Sequence, residues 1–307
     1  MTLSPAVDAG HRENVSRARL IAAFASVYLF WGATFLAIRY AVAEVPPLLT
    51  IAIRCAGGAL ILYAWLAARG RLERTTAAQW RVAALAGVLL FIGCHGVVAW
   101  AEQQVSSGQA ALLLTSIPLG LVLLTAVIER RRPPARVLLG IAVGILGIAV
   151  LTRGGGSGTL LDRAALAASG LFWAAGSLVA KHGARPESAA QSTAMQLAAG
   201  AVAVLSASAV RGELSSWTPA QVSPRALGAL AFLVVCGTVL GFGAYTWLLR
   251  VATPAAVGTY AFVNPVVALA LAWIAGDESP NGRALVAAAL VIGAVLLTLN
   301  PSSGEKK

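Results

Sequence analysis

The chain has 307 residues, 58% of them hydrophobic and 11% charged, where a soluble globular chain carries roughly 25% charged residues. That composition excludes an ordinary soluble domain and makes the lipid bilayer the first partner. The formal net charge of +11 does not point to nucleic acid, because such binding clusters basic residues on one solvated face, whereas these sit mostly between apolar runs.

A hydrocarbon core about 30 Å thick takes roughly 20 apolar helical residues. Charge-poor stretches of about that length fall at 20–43, 46–68, 82–101, 107–128, 135–152, 164–182, 189–210, 226–249, 254–275 and 284–300, the fifth being short. The sequence therefore predicts an all-α polytopic membrane protein with ten transmembrane helices. A polar leader (His11, Arg12, Glu13, Arg17, Arg19) precedes the first. The first stretch is too long for a signal-peptide core and runs on into further spans, so an uncleaved first helix is expected. The division is a cytoplasmic leader at 1–19, a first repeat at 20–152, a second at 164–300 and a cytoplasmic tail at 301–307. Cys55, Cys94 and Cys236 all lie inside apolar runs without metal-like or CxxC spacing and read as small buried residues.

Basic residues gather on the cytoplasmic side of membrane proteins. With the N-terminus inside, the inner segments hold 16 lysines and arginines and the outer segments five (Arg153, Arg163, Arg211, Arg225 and Arg283). Both termini are thus expected in the cytoplasm.

Sliding the second half over the first brings Gly96 and Trp100 onto Gly243 and Trp247, and Pro118 onto Pro265, at an offset of 147. At an offset of 142, Trp31 and Arg39 fall on Trp173 and Lys181. A repeat of five spans is odd in number, so its two copies cross the membrane in opposite directions, the inverted plan common in secondary transporters.

Six stretches carry a family resemblance: "WGATFLAIRYAV" (31–42), "PPLLTIAIRCAGG" (46–58), "AEQQVSSGQAALLLTSIPL" (101–119), "LLGIAVGILGIAVLT" (138–152), "FWAAGSLVAK" (172–181) and "TYAFVNPVVALALAWIAGDE" (259–278). By their order and spacing, from about residue 20 to 300, the chain resembles the EamA-type drug/metabolite transporters and, within them, the YedA-like inner-membrane permeases. The resemblance implies an inner-membrane location, two inverted five-helix repeats around a central cavity, and the fifth and tenth helices at the periphery. It does not name the solute, since the superfamily carries amino acids, other metabolites, nucleotide sugars and drugs. The expected function is secondary transport of small metabolites by alternating access, with export of amino acids or related amphipathic solutes ahead of multidrug efflux.

The candidate substrate-binding residues are Trp31, Arg54, His95, Trp100, Glu102, Ser116, Tyr260 and Asn264, with Pro118 and Pro265 as hinges. A proline inside a helix donates no hydrogen bond, so Pro265 releases the carbonyl of Ala261 and Pro118 that of Leu114. Breaks at membrane depth are tolerated where they are buried in protein or line a wet cavity, and two in repeat-related helices point to a midplane site. A static kink is the alternative. Asn264 supplies an amide, and Tyr260 lies four residues earlier on the same face. Arg54 lies about 10 Å into its helix with Glu102 or a substrate carboxylate as expected partner, and His95 shares a face with Glu102. Trp31, Trp100, Trp173 and Trp247 offer apolar wall, with plain core packing as the alternative for each.

Intramembrane enzyme chemistry has little to work with. The aspartates are Asp8, Asp162 and Asp277, all outside or at the edges of spans, and of three histidines only His95 lies well inside one. No cofactor and no metal is expected. A channel would need a ring of charges or carbonyls around a symmetric pore. Helix one lacks the glutamate that couples protons in small multidrug relatives, the nearest being Glu44, so proton antiport, exchange and facilitated movement all stay open. Gly140 and Gly144 form a GxxxG in the fifth span that permits close helix contact and leaves a homodimer open.

Overall fold

The computed structural model describes residues 16–128, 130, 135–153, 157–252, 257, 260–276 and 282–299. Most of the leader and all of the tail expected from the sequence lie outside them. Ten long helices follow in order: α1 (Arg17–Val42), α2 (Pro47–Ala68), α3 (Ala77–Ala101), α4 (Ser107–Ile128), α5 (Ala135–Arg153), α6 (Leu160–His182), α7 (Ala189–Val210), α8 (Pro224–Val251), α9 (Tyr260–Ile274) and α10 (Gly282–Leu299). Seven of them, α1–α4 and α6–α8, are long and apolar enough to cross a bilayer by themselves, and α5, α9 and α10 are shorter at 19, 15 and 18 residues. Several helices begin before their apolar windows because the caps sit in the polar residues outside. Thr76 and Thr159 form capping boxes with Gln79 and Asp162, and Ser223 caps α8 ahead of Pro224. Each cap satisfies N–H groups that the first turn leaves without partners.

The packing follows a twofold plan. α2 lies along α7 and α5 along α10; α1 packs on α9 as α6 packs on α4, and α3 packs on α6 and α7 as α8 packs on α1 and α2. The third helix of each repeat also carries a π-helical segment, Val88–Gly96 in α3 and Leu233–Phe242 in α8. Two five-helix units of opposite direction with the same local defect at the same place are an inverted repeat in three dimensions. Large apolar side chains such as Leu29, Leu60, Leu85, Val202 and Leu227 point outward and are exposed, while Thr50, Arg54, Thr193, Gln196 and Thr238 are buried. That inside-out distribution suits a lipid surround, where the exterior needs no polar cover. Gly144 faces Leu119 and Ala294 of the same chain, at 2.9 and 3.3 Å from where its Cβ would stand. Gly144 of the GxxxG in α5 therefore serves an internal contact.

Carboxylates tie the repeats together at both ends of the bundle. α2 and α7 each end on a glycine in the left-handed region, Gly70 (φ +60°) and Gly212 (φ +74°), where a side chain would be strained. Shortly after each comes a glutamate. Glu213 accepts from the backbone N–H of Leu48 (3.4 Å) and Leu49 (2.9 Å) at the start of α2, and from Ser208 Oγ (2.9 Å). Glu73 accepts from the N–H of Glu187 (3.0 Å) and Ser188 (2.7 Å) at the start of α7, while its backbone exchanges two bonds with the Gln191 amide. Each repeat thus caps a helix of the other. Glu44 does the same at the start of α8, accepting from Ser223 N–H (2.5 Å) and Oγ (2.6 Å), and these two bonds hold its carboxyl below the usual value.

Candidate functional site

A half-open cavity, about 510 Å³ with the open space at its mouth included, lies between α1, α2, α3, α4, α6 and α9, so both repeats wall it. Arg54 stands seven residues inside the start of α2, and His95 six residues before the end of α3. At 1.5 Å per residue both lie about 10 Å in from the face that carries the α1–α2 and α3–α4 connections. Arg39 closes part of that face by donating from Nη1 to the Val105 carbonyl at 3.1 Å.

The centre of the site is aromatic. Trp31 and Trp173, which the repeat superposes, meet edge to face with ring centroids 5.4 Å apart. Tyr260 packs edge-on to Trp31 at 5.3 Å and Tyr245 lies 4.9 Å from it. His95 is stacked on Phe91 at 5.6 Å and edge-on to Trp173 at 5.2 Å. Edge-to-face geometry sets positive ring edges against negative faces and adds to the apolar burial. Contributions from α1, α3, α6, α8 and α9 make one cluster that spans the two repeats.

The π-helical segment of α8 supplies the polar anchor. Such a segment skews the carbonyl ladder, which is why π-bulges recur at functional sites. Here the Gly237 carbonyl accepts from Trp31 Nε1 at 3.0 Å and from Arg54 Nη2 at 3.4 Å, and Thr238 Oγ1 accepts from Arg54 Nε at 2.7 Å. Gly237 must be glycine at this contact, since a Cβ there would stand 2.7 Å from Thr34 Cγ2. Gly241, one turn on, leaves the same kind of room for the Trp31 indole, 2.7 Å away. Arg54 is 2% exposed, and among the described residues its Nη1 has no hydrogen-bond partner. The sequence offered Glu102 or a substrate carboxylate as partner for Arg54; among the described residues the hydrogen bonds of Arg54 go to α8. At the offset of 142, Arg54 falls on Gln196, which lies in a smaller cleft of about 210 Å³ with Gln79 and Arg185. Arg54 therefore has no charged counterpart at the repeat-related position.

The prolines act differently in the two repeats. α4 is interrupted at Leu114–Thr115, between Ser107–Leu113 and Ser116–Ile128. The Leu114 carbonyl, which Pro118 was expected to leave without a donor, accepts from the Ile117 N–H at 3.0 Å. α9 instead runs through Pro265. With its amide nitrogen turned toward carbonyls, Asn264 donates to Tyr260 O (3.3 Å) and to Tyr28 O of α1 (3.2 Å). The side chain thus pins the proline-containing turn to the neighbouring helix.

Of the residues singled out from the sequence, Trp31, Arg54, His95, Tyr260, Asn264 and Pro265 line the cavity. Trp100, Glu102, Ser116 and Pro118 do not. Glu102 is buried at the end of α3, and Ser116 Oγ is turned to α6, 2.2 Å from where a Gly170 Cβ would stand. Thr115, its neighbour, takes the place on the wall, and Thr34, Phe35, Cys94 and Leu114 join it. Among the described residues no group of three His, Cys, Asp or Glu could hold a metal ion.

The EamA-like transporter family matches this chain twice, at residues 19–153 and 164–300. The chain is 31% identical over 280 residues to the uncharacterized inner membrane transporter YedA of Escherichia coli K12, covering 91% of this chain and 90% of that relative. It is 21% identical over 287 residues to the uncharacterized transporter YoaV of Bacillus subtilis 168, covering 92% and 97%. A solved crystal structure aligns with a TM-score of 0.65 and 22% identity over 91% of this chain and 96% of the other, a likeness of fold. Two matches that between them take in both halves, with a cavity where the halves meet, make this multi-pass membrane protein a member of the EamA-like transporter family.

Proposed function

We propose that the chain moves small amphipathic metabolites, amino acids among them, out of the cell by alternating access, the two repeats rocking about the cavity. The carrying observation is that a half-open, mixed aromatic and polar cavity is walled by both inverted repeats. Such a site at a repeat interface is what rigid-body rocking exposes to each side in turn. Trp31, Trp173 and Tyr260 give the solute's apolar part a surface, Thr34 and Thr115 offer hydroxyls, and Arg54 offers charge. The break at Leu114–Thr115 and the proline at 265 are the expected hinges. Export is the direction the family resemblance suggests, and the basic-residue asymmetry supports an orientation with both termini in the cytoplasm.

Purified protein in liposomes should exchange a labelled solute from a panel of amino acids, other amphipathic metabolites and cationic drugs. Runs with and without a proton gradient separate antiport from exchange. Saturable counterflow of one class supports the reading, and a preference for cationic drugs would move it to multidrug efflux. No counterflow of any solute, with correctly inserted protein, would overturn it.

A further inference from the structure

We propose that the cavity selects solutes with a net negative charge: an organic carboxylate with an aromatic or apolar body, preferred over the amino acid of the same shape. The inference rests on the reading of the cavity as the transport site and names its substrate class. Arg54 is the one formal charge on the wall among the described residues. It is 2% exposed, and its hydrogen bonds go to a hydroxyl and a backbone carbonyl, both neutral. Nη1 is left without a partner. A buried guanidinium with an unpaired donor and no carboxylate beside it on the wall, among the described residues, is an uncompensated charge in a poorly polarisable medium, which is costly. A carboxylate entering the cavity supplies both the missing charge and the missing acceptor, and charge-assisted bonds of this kind are the strong ones.

The rest of the wall, although it holds the unpaired His95 Nδ1 and Tyr260 hydroxyl, offers an ammonium group no charged partner among the described residues. Glu102 lies outside it, and Asn264 turns its amide nitrogen to the Tyr260 and Tyr28 carbonyls. His95 is held between the Phe91 and Trp173 rings. The aromatic faces could attract a cation, yet any cation there would share a small cavity with Arg54. A zwitterion would neutralise the arginine and bring in a second positive charge that meets no carboxylate. An organic anion neutralises the site and adds nothing further to solvate.

Three probes share one phenylethyl body and differ in charge: 3-phenylpropionate is negative, phenylalanine carries no net charge and 2-phenylethylamine is positive. Binding to the purified protein is read by quenching of tryptophan fluorescence, since Trp31 and Trp173 line the site, and transport by counterflow in liposomes. The acid should bind about tenfold tighter than the amino acid, a gap set by the ammonium group that the amino acid brings in without a charged partner, with the amine weakest. Arg54→Gln should bring the three within about threefold of one another. If that variant does not fold, the wild-type order decides, together with Thr238→Val, which removes the bond that positions the Arg54 guanidinium on the wall and should weaken the acid most. An amino acid or amine that binds as tightly as the acid would overturn the proposal. So would the absence of binding by all three, or an unchanged preference in folded Arg54→Gln. Binding in the expected order without counterflow of any probe would sink the transport reading and leave the anion site standing, and counterflow that favours the amine would do the reverse.

Discussion

Replacing Glu213 with alanine should loosen the start of α2 although the two are 164 positions apart in the chain. The Pro46 that precedes α2 makes no side-chain cap, and the first turn has no acidic residue, so the helix relies on Glu213 for its N-terminal N–H groups. Of the three bonds to that carboxylate, those from Leu49 N–H and Ser208 Oγ are 2.9 Å and the one from Leu48 is stretched to 3.4 Å. A bond to a charged group contributes about 1.5–3 kcal/mol when well buried, and loss of an N-cap costs about 0.5–2 kcal/mol. Glu213 is half-buried, so the lower part of those ranges applies, and about 1–2 kcal/mol is expected for Glu213→Ala. Glu213→Gln keeps an acceptor without the charge and should lose about half of that. The mate Glu73→Ala should cost less, because Ser188 still caps the Gln191 N–H of α7. Unfolding of the purified protein in detergent micelles measures all three, and a double-mutant cycle with Ser208→Ala isolates that bond. A Glu213→Ala protein within about 0.5 kcal/mol of wild type, or one less affected than Glu73→Ala, would refute the cross-capping argument.

Gly237→Ala should abolish or severely slow transport while the protein still inserts, because its Cβ would stand 2.7 Å from Thr34 Cγ2 and 3.5 Å from Arg54 Nη2; Gly228→Ala, with nothing within 4 Å, is the control, and equal rates for the two would contradict the account of the π-helical segment. Asn264→Ala should weaken solute binding and also lower stability by about 1–2 kcal/mol, since it removes the link from Tyr260 O to Tyr28 O; an unchanged unfolding midpoint would show that the link contributes nothing. Pro265→Ala should slow turnover more than it weakens binding, as a hinge requires, and wild-type turnover would make the proline a packing feature. Reporter fusions at residues 155 and 215 should read as periplasmic and one at 133 as cytoplasmic, and the opposite pattern would invert the orientation derived from basic residues.

The ten helices were legible because the bilayer fixes how long an apolar run must be, and the inverted repeat because two tryptophans and a proline recur in register. The pairing of Trp31 with Trp173 could be anticipated from the repeat, since residues that superpose under a twofold can meet at its axis. The partners of Arg54 could not. Gly237 and Thr238 lie in an apolar stretch whose composition does not distinguish π from α geometry, and it is the carbonyl and the hydroxyl of that segment that reach the guanidinium. The nearest visible signal was the four-residue spacing of Gly237 and Gly241, which admits a close approach. Ser116 and Thr115 changed places because α4 breaks at Leu114–Thr115, so the face of a continuous helix was the wrong guide. The roles of Glu73 and Glu213 depend on groups more than 100 positions away, which no local pattern records.

Alternating access is tested most directly by a single cysteine in the cavity wall. In a background with Cys55, Cys94 and Cys236 replaced by alanine, Leu114→Cys would be probed in oriented vesicles with a membrane-impermeant thiol reagent added from one side or the other. Rocking about a shared cavity predicts that the same cysteine reacts from both sides and that a transported solute slows both reactions. Reaction from one side only, unchanged by any solute the protein moves, would contradict it.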